Sequence, residues 1–514
     1  MKAIVATTIA LAVTLFRNLS VTLQLAYALA FEPGDEQRNL IAHTLERIQS
    51  GERLCLFPGA AGTGKTTTLK LLLRVLRDCG LTVSVATPTH KAAKRAQEQL
   101  QGEDVTVVTL YSIVYAGAEE IREEDEDGNV AEFGEELDFN KRDAGTASVG
   151  RILIVDEASM VGESLANDMW QAIPTSTQVI AVGDPHQLPP VGEAAGFPLS
   201  EATVELSKVY RQADASPVLK AATQIRSQRV PFTWSKVADW RTGAQILQDS
   251  GVDSRWMDPN RAGDALAAMI RRTDGDAAAI VGTHKSRVVL NDLTRKHLGF
   301  DRRVNGPQPG ERLICRAGGA GLRNADIVTV KTVEAVDFGR RFGDGWVLTV
   351  AVEGSKWDRE IAVLRETWDG DCAPKHRGLV PFSVKKNMDE WIDTDAARYG
   401  EQISRRVNEL VEGYEARKGV HPSEWLISMM EARAARECGA WALYLRRFLA
   451  AVDSGYAITC HAAQGSQYRE IIVVADCVDF IADGDKENVY RWSYTALTRA
   501  VENALVVCKR PNTW

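Results

Sequence analysis

The chain predicts an α/β protein built on two parallel sheets, with a β-rich insertion and a helical insertion in its second half. Three observations predict it. A glycine-rich turn lies between an apolar strand and an apolar-periodic helix near residue 60. Strands and helices alternate around it. From about Arg302 to Ser383 that alternation gives way to short strands with Gly and Pro turns. A length of 514 residues is too great for one core.

The N-terminal 30 residues imitate a secretory signal, with Lys2, an apolar run from Ala3 to Phe16, and Ala28-Leu29-Ala30. Arg17 and Asn18 interrupt the run before it could span a membrane. An amphipathic leader helix or a misplaced start codon is the expectation. Phe31 to Gln37 then introduces a helix reaching about Ile48.

Gly59-Ala60-Ala61-Gly62-Thr63-Gly64-Lys65-Thr66 matches GxxxxGK[ST] in full, between the strand Leu54–Phe57 and a helix from Thr67 to Cys79. The glycines let backbone N–H groups converge on phosphates resting at the positive end of the helix. Lys65 neutralises the β- and γ-phosphates and Thr66 holds Mg²⁺, which makes this a nucleoside-triphosphate site. The strand Thr82–Thr87 ends at Pro88-Thr89-His90-Lys91, and the next helix sets Lys91, Lys94 and Arg95 in one basic stripe.

Residues 117–148 break the rhythm. Eleven acidic residues between Glu119 and Asp138 stand against Arg122 alone, a formal −10 within a chain of −8, so the remainder is slightly basic. A hairpin or a loop ordered on binding is expected there. The strand Arg151–Val155 ends in Asp156-Glu157, a carboxylate pair suited to Mg²⁺ and to an attacking water. Gln178–Asp184 is another strand, leading into Pro185-His186-Gln187-Leu188-Pro189-Pro190, where Gln187 can meet a γ-phosphate. Strand, helix, strand at this spacing gives a parallel sheet.

A second series begins at Ala277–Gly282, with His284, Lys285 and Arg287 beyond the strand. Glu311–Cys315, Ile327–Val330 and Trp346–Val352 are the strands of a small β-barrel insertion. Residues 384–450 are helical and charged, and their Trp391, Trp425 and Trp441 are expected in a core. The α/β pattern resumes at Tyr456. Arg211 and Arg499 are isolated arginines able to reach across a cleft to a transferring phosphoryl group. The eight cysteines show no metal-like spacing, so a reducing compartment is expected.

GAAGTGKTT, ATPTHKAA, VDEASMV, GDPHQLPPV, VYRQ, ITCHAAQGSQ and YTALTRA resemble, in order, the motifs of superfamily 1 DNA helicases, most of all the RecD/Dda-like branch, superfamily 1B. The resemblance implies two RecA-like P-loop motor domains. The first would cover 31–209, with 117–148 as a pin-like excursion. The second would cover 210–301 and 451–514, interrupted by an SH3-like β-barrel at 302–383 and the helical insertion at 384–450.

It also implies residue roles. Gln37 would read adenine, and Gly59 to Thr67 (Gly59, Ala60, Ala61, Gly62, Thr63, Gly64, Lys65, Thr66, Thr67) would bind ATP. Thr66 and Asp156 would hold Mg²⁺, with Glu157 as base. Gln187, Arg211 and Arg499 would contact the γ-phosphate, while Gln464 and Gly465 would couple nucleotide to DNA. Pro88, Thr89, His90, Lys91, Thr459 and His461 would line the single-strand track. Where the family usually has HKSQGSE this chain has His461 to Gln467 without the lysine and the glutamate, which bears on DNA affinity and coupling more than on hydrolysis.

The expected activity is ATP-driven 5′ to 3′ translocation on single-stranded DNA with duplex unwinding, in replication, recombination or repair. The expected partners are single-stranded DNA, its duplex junctions, and replication or recombination proteins. A monomeric motor acting in the cytoplasm, or in a host's if phage-encoded, completes the expectation. The alternative is a RecD-type ATPase subunit of a larger recombination or nuclease assembly, unwinding weakly alone.

Overall fold

The structure, a computed structural model, describes residues 33–116, 119–124, 130–136, 140–190, 192–209, 216–232, 240–300, 306–353, 355, 357–368, 379–380, 382–476 and 486–508. The expected leader and Arg211 lie outside the described residues, as does the side chain of Trp425.

Five strands form the first parallel sheet: β1 (Leu54–Pro58), β2 (Val83–Thr87), β3 (Val107–Thr109), β4 (Ile152–Val155) and β5 (Gln178–Gly183), in the order β1-β5-β4-β2-β3. Both faces are covered, which is why β4 and β5 read as unbroken apolar runs. Ile152, Ile154, Ile180 and Val182 pack with helices α1 (Asp35–Gln49) and α2 (Lys65–Asp78). Leu153, Val155, Val179 and Ala181 point the other way, onto Met169 of α4 (Glu163–Ala172) and Phe197. Between them in sequence, α3 (His90–Gln99) follows β2. Within the acidic excursion, the backbones of Glu119–Glu124 and Val130–Glu136 pair antiparallel as a hairpin.

The second parallel sheet comprises β6 (Asp253–Trp256), β7 (Ala277–Val281), β13 (Ala457–Thr459), β14 (Tyr468–Val474) and β15 (Ala500–Cys508), in the order β6-β15-β14-β7-β13. Its faces are covered by α5 (Pro217–Gln228) and α11 (Lys486–Leu497) on one side and α6 (Pro259–Arg272) with α7 (His284–Leu298) on the other. The edge strand β6 precedes the series that the sequence pattern starts at Ala277.

Between β7 and β13 the chain builds an antiparallel sheet. Strands β8 (Arg312–Ala317), β9 (Ile327–Asp337), β10 (Asp344–Val352), β11 (Asp358–Leu364) and β12 (Ala451–Ser454) run in the order β11-β10-β9-β8-β12. Strand β12 comes from the returning segment, 87 residues after β11 ends at Leu364, and pairs with β8. A helical layer covers one face: α8 (Phe382–Lys418), α9 (Glu424–Cys438) and α10 (Trp441–Phe448). Trp441 meets Phe338 edge-on at 5.4 Å and Trp391 meets Phe342 at 5.1 Å, the core placement expected of them.

Buried charges fasten this sheet to the second parallel sheet. Arg287 of α7 pairs with Asp453 of β12, both almost fully enclosed. Arg295 lies 2.5 Å from Glu311, and Arg312 donates to the carbonyls of Gly275 and Ala277 at 2.5 and 2.8 Å. Asn291 accepts from the N–H groups of Tyr456 and Ala457 at 3.0 and 2.8 Å and donates to the Ala457 carbonyl at 3.2 Å.

Candidate nucleotide site and single-strand track

Strand β1 delivers the chain into the glycine-rich turn, and α2 carries it away. Gly64 sits at φ 79°, a left-handed conformation that a side chain would strain. At Gly59 an added Cβ would fall 2.8 Å from Lys65 Cγ, so glycine is needed for the lysine to lie along the loop. The Lys65 ammonium donates to the carbonyls of Gly59 and Ala60 at 2.7 and 3.1 Å. The Thr66 hydroxyl faces Gln99 Oε1 at 3.4 Å.

A cleft of about 370 Å³ opens above this turn. Its first wall carries Ala60, Ala61, Gly62, Gly64, Lys65, Thr66 and Thr67, with Asp156, Glu157 and Gln187. Its second wall carries Gly465, Gln467, Thr498 and Arg499. The expected residues of two separate sheets thus converge. Gly59 and Thr63 lie buried behind the turn, and Gln464 is buried in the second wall. A larger cavity of about 870 Å³ between the antiparallel sheet and the helical layer carries none of the phosphate-binding pattern.

The two carboxylates differ. Burial and the adjacent Glu157 charge push Asp156 up to about 6. Its Oδ1 accepts the Glu157 N–H at 2.9 Å. Glu157 itself adopts φ 54°, unusual for a residue with a side chain. The Gln187 Oε1 is buried and makes no hydrogen bond among the described residues, an orphaned acceptor on the cleft wall. A buried carboxylate of raised pKa with a second carboxylate next to it, a threonine hydroxyl and an unused amide oxygen beside a phosphate loop form a donor set short of a cation. They fit a hydrated Mg²⁺ accompanying a triphosphate.

Helix α11 of the second sheet clasps the first wall. The Tyr494 hydroxyl donates to Asp184 Oδ2 at 2.7 Å and accepts the Ala61 N–H of the phosphate loop at 2.8 Å. Thr495 Oγ1 accepts the Leu188 N–H at 2.9 Å, and Gln464 Nε2 donates to the Leu188 carbonyl at 3.0 Å. Arg499 is buried on its own backbone, donating to the carbonyls of Thr495 and Ser466 at 3.0 and 3.2 Å. Gln37 is buried in α1, where its Oε1 accepts the Gly34 N–H at 3.0 Å, and it stands outside the cleft walls.

The residues expected to line the track occupy the carboxyl ends of β2 and β13. Pro88 is buried, and Thr89 caps α3 by accepting the Ala92 N–H at 3.2 Å. His90, Lys91, Thr459 and His461 are half-buried. Burial lowers the His461 pKa, so its imidazole is neutral near pH 7. The basic stripe of α3 turns out to be committed across the cleft. Lys91 Nζ lies 3.4 Å from the Tyr468 hydroxyl, Lys94 donates to the Glu353 carbonyl at 2.6 Å, and Arg95 donates to Gln467 Oε1 at 2.6 Å.

Sequence reasoning missed Tyr494, Asp184 and Arg95 as site residues. The first two stand inside stretches already singled out, YTALTRA and GDPHQLPPV, which was the available signal. Arg95 gave none beyond its place in the stripe.

Residues 32–245 match the family model described as an AAA domain, and residues 454–507 match that of a UvrD-like helicase C-terminal domain. The ATP-dependent RecD2 DNA helicase of Deinococcus radiodurans is 30% identical over 391 residues, covering 69% of this chain and 48% of that protein. The chain belongs to superfamily 1B of the P-loop helicases. The ATP-dependent DNA helicase dda of Enterobacteria phage T4 is 28% identical over 42% of this chain and 48% of its own length. The chain spans about half the length of these curated relatives. A crystal structure of Bacteroides Pif1 bound to ssDNA aligns over 92% of this chain and 91% of that one, at 15% identity and a TM-score of 0.43.

Proposed function

We propose that this superfamily 1B chain is an ATP-driven motor that moves along single-stranded DNA, 5′ to 3′, and opens duplex at junctions. The convergence of Lys65, Glu157 and Gln187 with Arg499 and Gly465 on one cleft carries this reading. A site divided between two sheets makes hydrolysis depend on how they approach each other, which is what a translocating motor requires.

Lys65 would leave its carbonyls for the phosphates, and Arg499 would turn from its backbone to the γ-phosphate as charge develops. Arg211 is proposed for the same phosphate. Glu157 would orient and deprotonate the attacking water, and Gln187 would register the γ-phosphate. Thr66 and Asp156 would hold Mg²⁺, which supplies charge neutralisation at the phosphate oxygens when bound. The Gly34 cap leaves the Gln37 amide Nε2 as the group to meet adenine. Gln464 and Gly465 would carry the nucleotide state to the track, where Pro88 to Lys91, Thr459 and His461 grip phosphates without reading sequence.

The domain limits proposed are those of the sequence reading, with β12 joining the antiparallel insertion. No helix among the described residues is long and apolar enough to cross a membrane. A cytoplasmic, monomeric motor is the companion proposal.

The test is ATP hydrolysis by the purified chain with and without single-stranded DNA, alongside Glu157→Gln. Strong DNA stimulation, reduced about 100-fold or more by the substitution, is expected. Brisk hydrolysis indifferent to DNA would replace the motor reading with a partner-regulated ATPase.

A further inference from the structure

The basic stripe of α3 holds a side chain in the nucleotide cleft that the motor reading leaves without a role. Lys91 reaches Tyr468 of the second sheet and Lys94 the Glu353 carbonyl at the end of β10, but Arg95 turns into the nucleotide cleft. Its guanidinium interacts electrostatically with Glu157, Asp156 and Arg499, and burial disfavours its charge. Among the described residues no carboxylate approaches it closely enough to form an ion pair. Its hydrogen-bond anchor is the Gln467 carboxamide, 2.6 Å away on the opposite wall. Gln467 is one of the positions at which this sequence departs from HKSQGSE.

A cation taken partly out of water and tethered by a neutral group keeps its charge for something else. The cleft it faces also contains the phosphate-loop lysine, the carboxylate pair and Arg499. We propose that Arg95 is a further substrate-contacting cation of this site, directed at the terminal phosphate, and that Gln467 is the cross-cleft residue that positions it.

This rests on the ATPase reading and deepens it. A carboxylate at 467 would hold Arg95 equally well but would compete with the phosphate for its charge; an amide positions without competing. Arg95 also lies one helical turn, about 6 Å along the axis, from Lys91 at the proposed track. A shift of α3 on gripping DNA would therefore move a phosphate-binding group directly.

The test compares binding of a non-hydrolysable ATP analogue and of ADP to wild type, Arg95→Ala, Arg95→Lys, Gln467→Glu and the Arg95→Ala/Gln467→Glu double variant, with hydrolysis measured in parallel. Arg95→Ala is expected to weaken the triphosphate analogue about tenfold while leaving ADP within about twofold, and Arg95→Lys to restore part of the loss. Gln467→Glu should act in the same direction more weakly, and the double variant should match Arg95→Ala. Equal loss of both nucleotides, no loss of either, or additive effects in the double variant would overturn the assignment. Wild-type hydrolysis indifferent to single-stranded DNA would sink the motor reading while the nucleotide comparison still decides Arg95.

Discussion

The first parallel sheet is completed within one continuous stretch, Leu54 to Gly183, whereas the second is left after Val281 and rejoined at Ala457. The two solve the problem of strand placement differently. In the first, apolar side chains on both faces of β4 and β5 suffice, and the polar residues cluster at the strand ends around the cleft. In the second, the returning strands are received by enclosed polar groups: Asn291 on the backbone of Tyr456 and Ala457, and Arg287 on Asp453. A non-local return has many competing apolar registers. Directional hydrogen bonds and a paired charge discriminate among them where greasy contact would not.

This contrast is most exposed to failure at Asp453. Asp453→Ala leaves the Arg287 guanidinium enclosed without its carboxylate and should destabilise the protein by about 3–5 kcal/mol. Denaturant unfolding would measure it, and the Arg287→Met/Asp453→Leu pair should regain most of the loss. A small cost for the single variant would mean that the pair does not specify the return. Asn291→Ala should come next, at about 1–3 kcal/mol, because backbone N–H groups of Tyr456 and Ala457 lose their acceptor in the interior. The smallest effect has the opposite sign and lies in the first sheet. Glu157→Gly should relieve the left-handed backbone and the charge beside Asp156, raising stability by about 1 kcal/mol while hydrolysis is lost. Thermal unfolding of this variant beside wild type reads the sign; an unchanged or lowered midpoint would show that Glu157 is not strained.

What was legible in the sequence follows the same division. The phosphate loop, Asp156-Glu157 and Gln187 are local patterns at strand ends, and the structure gathers them on one wall. Both parallel sheets and both insertions were legible from periodicity. Strand β6 was not: Asp253-Ser254-Arg255-Trp256 is a polar edge with no apolar alternation to read. Strand β12 was not either, since Ala451–Ser454 looks like the start of the returning α/β pattern and is claimed by β8 only in three dimensions. Arg95 and Tyr494 escaped because their partners, Gln467, Ala61 and Asp184, are hundreds of residues away in sequence.

The fastening between the antiparallel sheet and the second parallel sheet has a mechanical consequence. Only Gly455 and Tyr456 separate β12 from β13, and Arg287, Arg295 and Arg312 pin the seam on either side. A hinge needs slack residues whose dihedrals can absorb rotation, and this seam offers two, one of which is held by Asn291. The insertion is thus a stiff arm on the second sheet. If the cleft closes as proposed, the far end of this arm would swing through a longer arc than the cleft itself travels, converting a small closure into a larger displacement.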